Sequence, residues 1–287
     1  MHNKQCEFDI FHLTDSSWTD DETEKFEKLS ERFGSRFHVQ VVDSSLMAGF
    51  PKLPRLTLPT YFRLLAPSIL PATVHKVLYL DADMIVNGDI RPLWNQDLDG
   101  LAIAGVSDWA FYRHDNYDRL CYGREWGYYN AGVTLFNIDY WRENNLSERV
   151  MKWIVENHDR ILWMDQDAIN AVAHDKRLDL PLTYNFQAFF LFEEGWSFYD
   201  ESMKKFIKKT YRHPVIIHFN GQRKPWTLDY EGYPFGTYWV YYRKRLMEGI
   251  AFFSVLRAKC RMKIWLKSKS RTAKRNKEVV AEFRDAI

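Results

Sequence analysis

Cysteine is scarce. Cys6, Cys121 and Cys260 are the only three in 287 residues. An odd number of widely spaced thiols does not make a disulfide framework or a zinc site, and points to a reducing, cytosolic setting. No run approaches the roughly 18 apolar residues that a membrane span needs. The opening MHNKQCEFDIFH lacks the apolar core of a signal peptide. No internal repeat is visible. Acidic residues are absent from Arg257 to Lys277, where ten residues are Lys or Arg. The whole chain carries a formal +2, so removing that +10 leaves about −8 on the rest. An acidic body joined to a basic tail is a partner signal and not a fold signal.

A hydrophobic content of 46% with 16% aromatics describes a globular protein. The length allows one large α/β domain and a tail, or at most two domains. The expected division is a catalytic domain over residues 1–245 and a basic tail over 246–287. In the tail, Phe253, Leu256, Cys260 and Ile264 recur at roughly helical spacing, beside Trp265 and Leu266. A basic amphipathic helix with an aromatic suits an anionic membrane surface, here through residues 250–277. The plain alternative is a solvated charged tail. No nucleic-acid motif accompanies it, so no nucleic-acid partner is expected.

The central stretch is Lys76 to Asp89, KVLYLDADMIVNGD. Val77 to Leu80 reads as a buried strand. It ends in two carboxylates, Asp81 and Asp83. Ligands of open α/β sheets sit beyond the carboxyl ends of strands, and a carboxylate pair there suits a hard divalent cation. Asp-x-Asp is also a common turn, and on its own would be no more than that.

Phe8 to Leu13, a helix from about Asp20 to Phe33, and Phe37 to Val42 make a strand–helix–strand unit with a parallel sheet. Phe26, Leu29 and Phe33 share one helix face, and Gly34 stops the helix. Thr60 to Leu70 reads as a short helix carrying Arg63, either a surface residue or a phosphate ligand. Leu101 to Val106 is a buried strand ending at Ser107-Asp108. Asn130-Ala131-Gly132 allows close backbone approach and leads into a further strand. Trp141 to His158 reads as one helix. Asp165-Gln166-Asp167 opens another, where first-turn acids suit the helix dipole without any further role. Val215 to Phe219 is a strand bearing His218, with Gly221 and Lys224 close behind. Such a histidine is either a core residue or part of a metal–phosphate site.

Taken in order, these stretches resemble family 8 of the retaining glycosyltransferases, which includes bacterial lipopolysaccharide galactosyl- and glucosyltransferases and, more distantly, glycogenin. The signatures are Thr60-Tyr61-Phe62-Arg63-Leu64, Lys76 to Asp83, Asn130-Ala131-Gly132-Val133, Asp165-Gln166-Asp167 and His218 to Trp226, spread over about Phe8 to Trp226. The resemblance implies a GT-A fold, with a mostly parallel nucleotide-binding sheet flanked by helices and a basic helical C-terminal tail. It implies transfer of galactose or glucose from a UDP-sugar to a glycolipid or oligosaccharide acceptor such as lipopolysaccharide. Manganese, or another divalent cation, would be held by Asp81, Asp83 and His218. Gly221 and Lys224 would hold the diphosphate. Arg63, Asp83, Asn130, Ala131, Asp165 and Gln166 would surround the donor sugar, with Asp165 and Gln166 near the anomeric carbon. Retention is ascribed to front-face attack within an ion pair or to a transient covalent adduct. The enzyme would work at the cytosolic face of a membrane.

The family's usual first strand and helix, with a loop for uracil and ribose, have no match before Phe8. The expectation is a truncated or misassigned start. The alternative is a catalytically weak or inactive relative that binds a membrane or a partner. A calcium loop from Asp81 fails because Ile85 and Val86 stand where an oxygen ligand and a glycine are needed. A phosphatase with an aspartyl nucleophile would leave the His218 to Trp226 stretch without a role.

Overall fold

The computed structural model describes residues 3, 6–15, 18–51, 58–108, 115–192, 196, 199–221, 224–226 and 235–247. The basic tail expected at 250–277 lies outside the described residues. Contacts within the chain define two units. The first comprises residues 1–79 and 91–180, the second residues 80–90 and 181–287.

The first unit opens with β1 (Asp9–Thr14), α1 (Asp20–Glu31) and β2 (Arg36–Val41). The two strands are parallel, as expected. Thr19 and Glu22 cap α1 reciprocally, satisfying donors that a helix start leaves open. Phe26 stacks on Phe37 at 5.2 Å. Yet Phe26 and Phe33 remain 42% and 51% exposed, because a two-stranded sheet offers too narrow a face to cover the helix. A 3-10 helix (Leu58–Leu65) then passes into α2 (Ala66–Ile69). The change falls next to Pro67, which has no amide to continue the ladder.

A four-stranded sheet follows in the order β3 (Lys76–Leu80), β6 (Tyr129–Asn137), β5 (Ile103–Ser107), β7 (Arg177–Asp179). β5 runs antiparallel to β6 and parallel to β7. The short helices α3 (Arg91–Trp94) and α4 (Asp115–Leu120) lie in the connections. The helix expected from Trp141 to His158 is two: α5 (Ile138–Glu143) and α6 (Leu146–Glu156). Asn145 between them has φ 48°, a left-handed conformation that asparagine tolerates and a continuing helix does not. With α7 (Met164–Ala173) these helices bury Trp141, Val150, Ile154, Ala168 and Ile169 against Phe136 of β6 and Tyr61 and Leu64 of the 3-10 helix.

The β5–β6 ladder shifts register between Gly105 and Val106. A Cβ on Gly105 would lie 2.3 Å from Cδ2 of Tyr129, which is fully buried. Gly105→Ala is therefore expected to lower stability by about 1–3 kcal/mol in urea unfolding, the usual cost of overpacking. An unchanged midpoint would show that the Tyr129 ring has room to move.

The second unit holds β4 (Met84–Val86), β8 (Phe186–Gln187) and β9 (Ile216–His218), in the order β4-β9-β8. β4 pairs antiparallel and β8 parallel to β9. Helices α8 (Glu201–Tyr211) and α9 (Gly236–Met247) complete it. Its core includes Phe186, with Tyr211 and Phe235 edge-on to its ring. Neither β4 nor α8 is among the elements expected from the sequence.

Candidate active site

The expected metal ligands meet in the second unit. Asp83 directly precedes β4, and His218 ends β9. Met84 is the register partner of His218, and the Phe219 amide donates to the Asp83 carbonyl at 2.9 Å. Backbone pairing thus brings the two side chains together across a long stretch of sequence. One ligand atom each from Asp81, Asp83 and His218 lies within 4.8 Å of the others. His218 Nε2 is 3.6 Å from Asp81 Oδ2 and 3.3 Å from Asp83 Oδ1.

Lys224 brings an ammonium to this group. Its Nζ pairs with Asp83 Oδ2 and donates to the Phe219 carbonyl at 2.8 Å. Gly221, between the strand and this lysine, has φ +86°, which only glycine adopts without strain. Burial alone would raise the Asp83 pKa. Hydrogen bonding and charge from His218 and Lys224 outweigh it and hold the carboxyl at about 2. Two carboxylates against one lysine leave the cluster net negative. Two carboxylate oxygens and an imidazole nitrogen are ligands that divalent transition metals accept. The donor set therefore fits a divalent cation.

Behind the cluster, His218 Nδ1 lies 3.0 Å from Oδ1 of Asn185, and both residues are buried. An amide oxygen only accepts, so Nδ1 donates to it, and this bond holds the ring with Nε2 facing the carboxylates. Outer partners of this kind typically govern 10- to 100-fold in metal affinity. Asn185→Leu is expected to weaken manganese binding by about that factor in calorimetric titration. Unchanged affinity would mean that packing alone orients the ring.

The remaining expected residues, Arg63, Asn130, Ala131, Asp165 and Gln166, belong to the first unit. There they form one buried network. Arg63 Nε is 2.8 Å from Asp165 Oδ2. Its Nη1 donates to the Ala131 carbonyl at 2.5 Å, and its guanidinium lies 4.1 Å from the Tyr79 ring centre. Arg63 is thus neither a surface residue nor a cap. Gln166 Oε1 accepts from the Asn130 side chain at 3.2 Å and from the Ala131 amide at 3.0 Å. Its Nε2 donates to Tyr128 Oη at 3.1 Å and to Asp108 Oδ2 at 3.3 Å. Asn130 also donates to Asp108, at 2.5 Å. Burial, then the nearby Asp167 and Asp108 carboxylates, pushes the Tyr128 pKa well up, so this hydroxyl stays protonated and donates to Asp167 at 2.7 Å.

Asp165 and Asp167, alike in sequence, differ in company. Asp167 accepts from both Arg119 terminal nitrogens, at 2.8 and 2.9 Å, and from the Leu162 and Trp163 amides at 2.7 and 2.8 Å. That set anchors the start of α7. Met164, between these amides and Asp165, has φ 51°, a backbone cost of roughly 1–2 kcal/mol for a residue with a Cβ. The Tyr61 hydroxyl holds its sulfur at 3.3 Å. Asp108, Tyr128 and Asn185 are not among the site residues expected from the sequence. Asp108 carried a usable signal, a carboxylate just past an apolar strand, the same one that marks Asp81. Asn185 carried none.

The sequence matches glycosyl transferase family 8 over residues 1–229. The General stress protein A of Bacillus subtilis is 25% identical over 76% of this chain and 76% of its own length. A lipopolysaccharide 1,2-glucosyltransferase of Escherichia coli is 26% identical over 79% of this chain and 66% of its own length. A lipopolysaccharide 1,3-galactosyltransferase of Salmonella typhimurium is 25% identical over 80% and 67%. The chain thus spans about two thirds of the length of the two lipopolysaccharide enzymes. The crystal structure of the galactosyltransferase LgtC with donor and acceptor sugar analogs superposes with a TM-score of 0.71, at 20% identity over 88% of this chain and all of that one, which shows a shared GT-A fold. With the match covering four fifths of its residues, this chain belongs to glycosyl transferase family 8 and is a glycosyltransferase.

Proposed function

We propose that the protein transfers a hexose, galactose or glucose, from a UDP-sugar to a lipopolysaccharide or related glycolipid acceptor, with retention and with manganese or another divalent cation. The observation that carries this reading is the convergence of Asp81, Asp83 and His218 with Lys224 on one carboxylate. The similarity to lipopolysaccharide glucosyl- and galactosyltransferases supports the acceptor class. Asp81, Asp83 and His218 would hold the cation, which supplies charge to neutralise the departing diphosphate. Lys224 adds a second positive charge, with its ammonium tethered to the Phe219 carbonyl. Gly221 leaves room for diphosphate oxygens near the backbone. Arg63, Asn130, Ala131 and Asp83 are assigned to the donor sugar by the family resemblance. Asp165 and Gln166 are assigned to the reacting carbon. Arg63 orients Asp165 through their 2.8 Å contact, while Tyr128, Asp108 and Ala131 fix both ends of the Gln166 amide. Such preorganised polar groups stabilise developing charge without reorganising. In the transfer, the anomeric carbon–oxygen bond to UDP breaks, a bond to an acceptor hydroxyl oxygen forms, and the hydroxyl proton passes to the departing diphosphate.

No described helix is long and apolar enough to cross a membrane. The proposed location is cytoplasmic, at the inner face of a membrane, held by residues 250–277. The decisive assay is UDP release from a panel of UDP-sugars with and without manganese. Turnover of a single UDP-hexose that requires the metal is expected. Equal turnover in chelator would overturn the metal role, and a preference for a non-uridine donor would overturn the nucleotide.

A further inference from the structure

Helix α8 has a face that the transferase reading leaves unused. Its residues are ESMKKFIKKTY, capped at its start by Asp200, whose carboxylate accepts from the Met203 amide at 2.7 Å. At 3.6 residues per turn, Lys204, Lys205, Lys208, Lys209 and Arg212 fall within an arc of about 140°. The opposite side packs inward: Ile207 is fully buried, and Tyr211 meets the Phe186 and Phe235 rings. Phe206 stands at the border of the basic arc and is 48% exposed. Trp196 lies on the other border, with the Lys204 and Lys208 ammoniums 5.8 and 5.5 Å from its ring centre. Lys205 and Lys209 are exposed, and neither has a carboxylate partner among the described residues.

We infer that this face of α8 docks the folded domain onto an anionic lipid bilayer. The arc holds five basic side chains and one acid, Glu201, which pairs with Lys204 at 3.0 Å, so it is net positive and its charge is unbalanced around Lys205 and Lys209. An exposed phenylalanine beside lysines is the composition of interfacial helices, in which the aromatic enters the headgroup region while the ammoniums stay among phosphates. A helix that docks on a protein would more often bring arginine and tyrosine to its centre. The inference rests on the membrane location proposed above only for the nature of the surface. It concerns the folded domain and not the tail.

The test is co-sedimentation of the full chain with vesicles of phosphatidylcholine and phosphatidylglycerol, beside vesicles of phosphatidylcholine alone. Each lysine near an anionic surface is worth about fivefold in partitioning, so Lys205→Gln with Lys209→Gln should weaken binding by about 25-fold. Lys205→Arg with Lys209→Arg should retain binding, which separates lost charge from lost folding. Phe206→Ala should weaken binding by a factor that salt does not change. If the glutamine double variant partitions like the parent, α8 is not the docking face and the inference fails, while the tail reading stands. If the parent ignores anionic vesicles altogether, both fail. Self-association abolished by the double variant, without vesicle binding, would assign the face to a second copy of the chain and overturn the inference.

Discussion

Asp83→Asn is expected to reduce manganese-dependent UDP release by about a thousandfold, with loss of measurable manganese binding. Metal centres and fixed charges at a leaving group supply several kcal/mol of transition-state stabilisation, and Asp83 touches both of the groups concerned. Its Oδ1 faces His218 Nε2 at 3.3 Å, and its Oδ2 pairs with Lys224. Asparagine keeps the shape but removes the charge and one oxygen. Calorimetric manganese titration reads the first effect, and UDP release at saturating metal reads the second. Retained turnover at high manganese would show that Asp81 and His218 suffice. The same carboxylate makes a pH prediction for the metal-free protein. Its folded-state value of about 2 lies below the ordinary 3.8. The stabilisation from its pairing is therefore present above about pH 4 and is lost as pH falls towards 2. The variant should lack that part of the acid transition in a pH series of urea midpoints.

Asp167→Ala is expected to destabilise the fold by about 3–5 kcal/mol, the usual cost of leaving one partner of a buried ion pair uncompensated. The carboxylate is fully buried, and Arg119, Tyr128 and two backbone amides all donate to it. Its removal strands the Arg119 guanidinium and leaves the amides ahead of α7 without their acceptor. The urea midpoint measures this. Adding Arg119→Met should recover part of the loss, since an apolar pair avoids the stranded charge. A variant with an unchanged midpoint would mean that water takes the place of the carboxylate. The adjacent activity residues depend on the same anchor, because Gln166 is tied to Tyr128 and Tyr128 to Asp167. Folded Asp167→Ala protein should therefore also turn over more slowly, at unchanged manganese affinity.

These two aspartates show what was legible in the sequence. Asp83 could be picked out because an apolar run stops abruptly at it, and because His218 and Lys224 recur in a recognisable order. Asp165 and Asp167 were both visible as first-turn acids, a pattern that the helix dipole alone explains. Their roles part only through side chains distant in sequence, Arg63 for one and Arg119 for the other. Asp108 had the same strand-end signal as Asp81, without the second carboxylate that made Asp81 stand out. The single helix expected from Trp141 failed because periodicity is blind to one left-handed residue, Asn145, that turns the chain without breaking the apolar spacing.

By itself the sequence determined the α/β alternation, the buried strand β5, the family and the types of ligand present, whereas β3, expected to be buried, is half-buried throughout. Those depend on local apolar patterning and on short motifs, which survive without knowledge of partners. The tertiary structure alone decided that β4 pairs with β9, that Asn185 backs His218, and that α8 turns a net-basic face outward. Each of these depends on backbone pairing or burial between segments far apart in the chain. There the free energy comes from desolvation and hydrogen-bond satisfaction, not from any local preference.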